Sequence, residues 1–139
     1  NSFLYTYLSN KLNTVLIKFK INKNWATFYA DSYKNNSMRE LALKSIFKLN
    51  EYCKENKIML IVNNIPELRD LKDYKFEKET SIVEKFAKKN NIYFINSHEA
   101  LKDYKEEELW VTENDQHAND KAHQIIGDFI NLKIQKFLN

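Results

Sequence analysis

Asp115 and His117 stand two residues apart in the stretch Trp110-Val111-Thr112-Glu113-Asn114-Asp115-Gln116-His117-Ala118-Asn119. This pair is the clearest offer of chemistry in the chain. A carboxylate that accepts a hydrogen bond from one imidazole nitrogen orients the ring and raises its basicity. The other nitrogen can then act as general base toward a nucleophile. Acid plus base is two-thirds of a hydrolytic triad, although the spacing alone does not separate such a pair from a solvated loop that happens to hold a His. The nearest imitation of a nucleophile is Ser32 in Asp31-Ser32, but Ala30 rather than Gly precedes it and no strand leads into it. His98, His117 and His123 with Asp115 could bind a metal, yet their spacing fits no common structural zinc pattern and Cys53 is remote, so no metal site is assigned. Trp25, Tyr29, Tyr74 and Trp110 could stack on a sugar or a base, but most of them read as core or loop packing; Trp110, close to the acid–base pair, is a candidate to line an acyl or sugar pocket.

Something must hold these residues in place. Apolar residues at helical spacing predict a helix over residues 2–20, read as core-facing, with a membrane-surface helix as the alternative. Residues 21–36 read as an aromatic connector. Ser37 with Glu40 forms a capping-box pattern for a helix running to about Asn56, with Leu41, Ile46, Phe47 (or Leu43), Leu49 and Cys53 inward. The continuous apolar runs near 58–63 and 92–95 read as parallel strands buried on both faces. A helix over 77–90 separates them, and Pro66 ends the first. A short helix is expected near 98–106, a loop over 107–118, and a last helix from about Asn119 to Phe137.

This alternation implies an α/β fold with a parallel sheet. In open sheets of that kind, sites gather beyond the carboxyl ends of the strands. Asn63-Asn64-Ile65-Pro66-Glu67, Asn96-Ser97-His98 and the loop ending in His117 should meet there, with Asn64 and Pro66 as candidate substrate contacts. Two parallel strands cannot bury both faces and both edges. The sheet is therefore expected to be completed from outside this chain, by an N-terminal half of the same protein or by a second chain.

Composition narrows the function. The 139 residues suggest one domain, and 43% hydrophobic with 14% aromatic content is enough for a core. The net charge of +3 is spread thinly, with no basic block, so nucleic acid is not an expected partner. A single Gly leaves no phosphate or dinucleotide loop, so no cofactor is expected. The single Cys, Cys53, reads as a small buried residue. No signal peptide and no bilayer-length apolar run is visible, which leaves cytoplasm and cell envelope both open. The first residue is not Met, and the chain reads as a piece of a larger domain.

The string Trp110-Val111-Thr112-x-x-Asp115-x-His117-x-Asn119-x-x-x-His123-x-x-Ile126 resembles the last block of the SGNH hydrolases, the GDSL esterase/lipase family. That block has an Asp, a His, usually Pro-Asn, then Gly-His entering the final helix. Ile58 to Pro66, followed by Glu67-Leu68-x-x-Leu71-x-x-Tyr74-x-Phe76, and the aromatic lead-in Trp25 to Tyr33 extend the likeness over roughly residues 25–137. Ala118 stands for the usual Pro and Ala122 for the usual Gly. Many members space acid and base three apart, which would put Asn114 at the acid position. Asp115 is preferred because a carboxylate is needed to stabilise the imidazolium. The Gly-Asp-Ser block with the nucleophile, and the Gly and Asn blocks of the oxyanion hole, have no counterpart here.

The resemblance implies a partial three-layer α/β/α flavodoxin-like sandwich. It implies a serine esterase or O-acyltransferase acting on small or carbohydrate O-acyl esters, with His117 as base and Asp115 as its orienter. This chain alone would be inactive. The alternative is a non-catalytic SGNH-like interaction or assembly module.

Overall fold

In the computed structural model the chain is mixed α/β and is described over residues 3–19 and 25–138, with backbone alone at 17, 25 and 26. It divides into two compact units, Asn1–Glu40 and Leu41–Asn139. The first holds helices α1 (Phe3–Lys18) and α2 (Trp25–Lys34). The ends of the expected first helix, at residues 2 and 20, and the first part of the connector, 21–24, lie outside the described residues. The remainder of the connector is not a connector. Trp25, Phe28, Tyr29 and Ser32 fall at the 3- and 4-residue steps of a helix, and α2 forms there. Nor is α1 core-facing: Phe3, Leu4, Leu8, Leu12, Val15 and Phe19 are all exposed.

Helix α3 (Asn36–Glu55) begins one residue before the expected cap. Asn35, not Ser37, is the N-cap. Its side-chain oxygen accepts hydrogen bonds from the Ser37 N–H at 3.1 Å and the Ser37 hydroxyl at 2.7 Å. The inward stripe of α3 is Leu43, Ile46, Asn50 and Cys53, whereas Leu41, Phe47 and Leu49 point to solvent. Cys53 is buried as expected.

The second unit continues with β1 (Ile61–Asn64), α4 (Glu77–Lys89), β2 (Tyr93–Asn96), α5 (His98–Leu101), a 3₁₀ turn (Glu106–Glu108), β3 (Trp110–Thr112), β4 (Asp115–Ala118) and α6 (Asp120–Leu138). β1 and β2 are parallel, with Ile61 opposite Tyr93 and Asn64 opposite Asn96. Both strands start later than the apolar runs, for a shared reason. α3 and α4 each end in a Schellman turn. Ile58 N–H donates back to Cys53 C=O at 2.8 Å, and Ile92 N–H to Ala87 C=O at 2.9 Å. These turns use Ile58 and Ile92 before any ladder begins. Each needs a left-handed residue, and this Gly-poor chain supplies Lys57 (φ 57°) and Asn91 (φ 54°). A Cβ in that region costs about 1 kcal/mol. Lys57→Gly is therefore expected to raise stability by about 1 kcal/mol in urea denaturation. A loss instead would mean that the Lys57 side chain makes a contribution the backbone geometry does not reveal.

The apolar strand runs are not buried on both faces. β1 is only half-buried, and Ile58, Met59, Ile65 and Tyr93 are exposed. Among the described residues the parallel sheet has two strands, so its outer edges pair with nothing. The main core lies elsewhere, in Leu68, Leu71, Leu101, Leu109, Ala122 and Ile126, flanked by Tyr104, Trp110, Ala118, Ile125 and Ile130. It joins the loop after β1 to α5, the 3₁₀ turn, β3 and α6. At its far end α6 reaches β2, where Phe137 stacks on Tyr93 with ring centres 4.4 Å apart.

Candidate active site

The expected loop over 107–118 is instead the 3₁₀ turn followed by an antiparallel hairpin. Trp110 pairs with Ala118 and Thr112 with Asp115. The turn is closed by the Asp115 N–H donating to Thr112 Oγ1 at 3.0 Å. Side chains alternate along a strand. Asp115 and His117 therefore share the exposed face, while Gln116 and Ala118 turn inward. Two-residue spacing that looks arbitrary in a loop is, on a strand, the spacing that brings two side chains together.

They meet. His117 Nδ1 lies 2.5 Å from Asp115 Oδ1, and the His117 backbone N–H reaches the same oxygen at 3.3 Å. Because the carboxylate can only accept, Nδ1 carries the proton and Nε2 presents a lone pair. The ring hydrogen bond, then the backbone one, holds the Asp115 carboxyl below its ordinary pKa, and burial opposes them. The His117 side chain is 92% exposed and that of Asp115 50%. A carboxyl whose folded pKa is lowered stabilises the fold above its unfolded pKa, and that contribution is lost as pH falls through the folded value. Carbon-detected NMR of the Asp115 carboxyl should therefore titrate below 3.8. His117→Ala should move the midpoint upward, and an unchanged midpoint would exclude the imidazole as the cause.

Asn119 fixes the hairpin on α6. Its Nδ2 donates to Glu108 C=O and Trp110 C=O, both at 3.0 Å, its backbone N–H donates to Leu109 C=O at 2.9 Å, and its Oδ1 caps α6 by accepting the Ala122 N–H at 3.0 Å. The hairpin is tied to the opposite loop by Trp110, whose Nε1–H donates to Leu68 C=O at 3.1 Å.

Between that loop and the hairpin lies a cleft of about 540 Å³, lined by Ile65–Arg69, Asn114–Ala118 and His123. This is the size of a small-molecule site. Of the residues expected to bind substrate, Pro66 lines the cleft with Asp115 and His117. Asn64 does not: its Nδ2 donates to Asn96 Oδ1 at 2.8 Å across the strand ends. Trp110 lies behind the wall and borders a separate, smaller depression with Val111 and Lys121. Glu67 belongs to the stretch expected at the strand ends, whereas Arg69 and Gln116 are not indicated by the sequence. The available signal was Pro66, which ends the ladder and puts the next residues at the carboxyl edge of the sheet.

No Ser, Thr or Cys is among the residues lining this cleft. Ser97 is fully buried and donates to Asn63 Oδ1 at 2.8 Å, and Ser32, on α2, bonds back to Phe28 C=O at 2.9 Å. His98 is also occupied elsewhere. Its Nε2–H donates to Leu71 C=O at 2.7 Å, and Tyr74 stacks on its ring. Burial there pushes the Tyr74 phenol up, against an opposing hydrogen bond from Asn64. Among the described residues no three His, Cys, Asp or Glu side chains converge as a metal site would require. No helix among them is long and apolar enough to cross a membrane. Comparison with protein-family models, curated proteins and solved structures gave no match.

Proposed function

We propose that this chain supplies the acid–base pair of an SGNH-type serine ester hydrolase or O-acyltransferase, acting on small or carbohydrate O-acyl esters. The observation that carries this reading is the 2.5 Å contact from His117 Nδ1 to Asp115 Oδ1, with Nε2 unengaged beside a cleft whose lining lacks any hydroxyl or thiol. Among the described residues the cleft has a base and no nucleophile, and the outer edges of the parallel pair are unpaired. One partner answers both: the N-terminal half of the same protein, or a second chain, bringing further strands and the serine with its oxyanion donors. The whole would be the three-layer flavodoxin-like sandwich expected of the family.

In that assembly His117 Nε2 takes the serine proton as Oγ attacks the ester carbonyl carbon, and Asp115 stabilises the imidazolium. The imidazolium then gives its proton to the departing alcohol oxygen as the C–O bond breaks. Water, or an acceptor alcohol, attacks the acyl-serine with His117 again as base. The 92% exposure of His117 also supports a second reading, a non-catalytic SGNH-like interaction module, because electrostatic catalysis works best where water is excluded.

Intact mass of the natural polypeptide, with p-nitrophenyl acetate hydrolysis and fluorophosphonate labelling of the same sample, tests the proposal. The expected result is a mass above 16.7 kDa or a co-purifying chain, with labelling and hydrolysis. A mass equal to this chain, with neither labelling nor hydrolysis, leaves the interaction module.

A further inference from the structure

Helix α1 turns an apolar face to solvent. At 3.6 residues per turn, Leu4, Tyr5, Leu8, Leu12, Val15 and Phe19 fall within about 100° of one another around the axis. All six are exposed. One border of this face carries Lys11 and Lys18, about two turns apart, and then Tyr7. Lys11 Nζ lies 5.7 Å from the centre of the Tyr7 ring. Thr6, Ser9, Asn10 and Asn13 lie on the opposite side, interrupted by position by Phe3 and Ile17. Residues 1–30 hold Lys11, Lys18, Lys20 and Lys23 and no acid; all 19 acidic residues of the chain come later, beginning with Asp31.

We propose that α1 lies in the surface of an anionic membrane, with the Leu8–Leu12 face in the acyl-chain boundary and Lys11 and Lys18 at the lipid phosphates. A border Lys can run its alkyl stem along the apolar face while its ammonium reaches the headgroups. Tyr7 sits at the same level, where a ring with a polar tip is favoured. The polar residues opposite keep the helix on the surface rather than across the bilayer. Charge decides between this partner and a second copy of the helix. Tyr5, Leu8, Leu12, Val15 and Phe19 follow each other at steps of 3 and 4, which would suit a helix pair. The residues flanking such a seam pair through opposite charges, and residues 1–30 offer only Lys. Anionic lipid supplies the missing sign. The proposal does not depend on the hydrolase reading of the cleft.

The test sediments the whole 139-residue chain with sucrose-loaded vesicles, made of equal parts phosphatidylcholine and phosphatidylglycerol or of phosphatidylcholine alone. Binding to the anionic vesicles should be tighter by about tenfold or more, and should weaken as added salt shortens the reach of charge. Replacing both lysines, Lys11→Gln with Lys18→Gln, should lower that affinity by about 25-fold, about fivefold for each Lys near such a surface. Leu12→Glu sets a carboxylate in the middle of the apolar face and should abolish sedimentation. Because Leu12 is exposed, the thermal unfolding of this variant should match that of the parent. No binding to either vesicle, equal binding to both, or unchanged affinity in the double Lys variant would overturn the proposal. So would a chain that ignores vesicles and is dimeric by analytical ultracentrifugation but monomeric as Leu12→Glu, which would give this face to a second copy.

Discussion

In the proposed serine-containing assembly, His117→Ala is expected to lower kcat for p-nitrophenyl acetate by about 10³-fold or more, roughly 4 kcal/mol of barrier. The size follows from what Nε2 does in the proposed reaction: it takes the serine proton, and His117→Ala removes it. Asp115→Asn should cost about 10²- to 10³-fold by a different route. An amide can offer its N–H to Nδ1 and so favour the tautomer that protonates Nε2. Steady-state kinetics of both variants, with KM resolved from kcat, distinguishes the roles. Loss confined to KM would make the pair a binding feature. A His117→Ala enzyme within tenfold of the parent would remove His117 from the chemistry.

Leu109→Ala is expected to destabilise the chain by about 3 kcal/mol, a large share of the 5–15 kcal/mol typical of a domain. Leu109 is fully buried in the cluster that joins the loop after β1 to α5 and α6. Its carbonyl accepts the Asn119 N–H, and Trp110 follows it directly. The cavity therefore opens where the hairpin is anchored, and relaxation into it would pull on the same hydrogen bonds. Thermal unfolding followed by circular dichroism should show Tm lower by more than 10 °C. A fall of under 1 kcal/mol would mean that the cluster is not the stabilising core of this unit.

The helices of the second unit were legible because their signals are local and redundant. Ile82, Val83, Phe86 and Ala87 on α4, and Ile125, Ile126, Phe129 and Ile130 on α6, turn inward as their spacing predicts. The parallel strands were legible as runs; their starts were misplaced because Ile58 and Ile92 serve the turns that end α3 and α4, with Met59 and Leu60 also lying ahead of the β1 ladder. The hairpin was missed because Glu113-Asn114-Asp115 has neither the Gly of a tight turn nor the β-branched content of a strand. Its stability comes from Trp110, Asn119 and the core beneath, which are tertiary terms. The meeting of Asp115 and His117 was legible because it needs only two alternate positions of one short segment. Of the opposite wall, Ile65, Pro66 and Glu67 were legible from the strand end, while Leu68 was not, because it is joined to Trp110 across 42 residues of sequence. α1 shows the reverse failure: its apolar spacing is real, and its side chains are nevertheless exposed.

Asp115 and His117 ride on alternate positions of a single four-residue strand. A slip of one residue in the hairpin would carry both to the opposite face together, never one without the other. The register of one short strand thus moves the two side chains as a unit. In the proposed hydrolase, what the surrounding scaffold would contribute is a hydroxyl, and the donors around it, within reach of a single nitrogen.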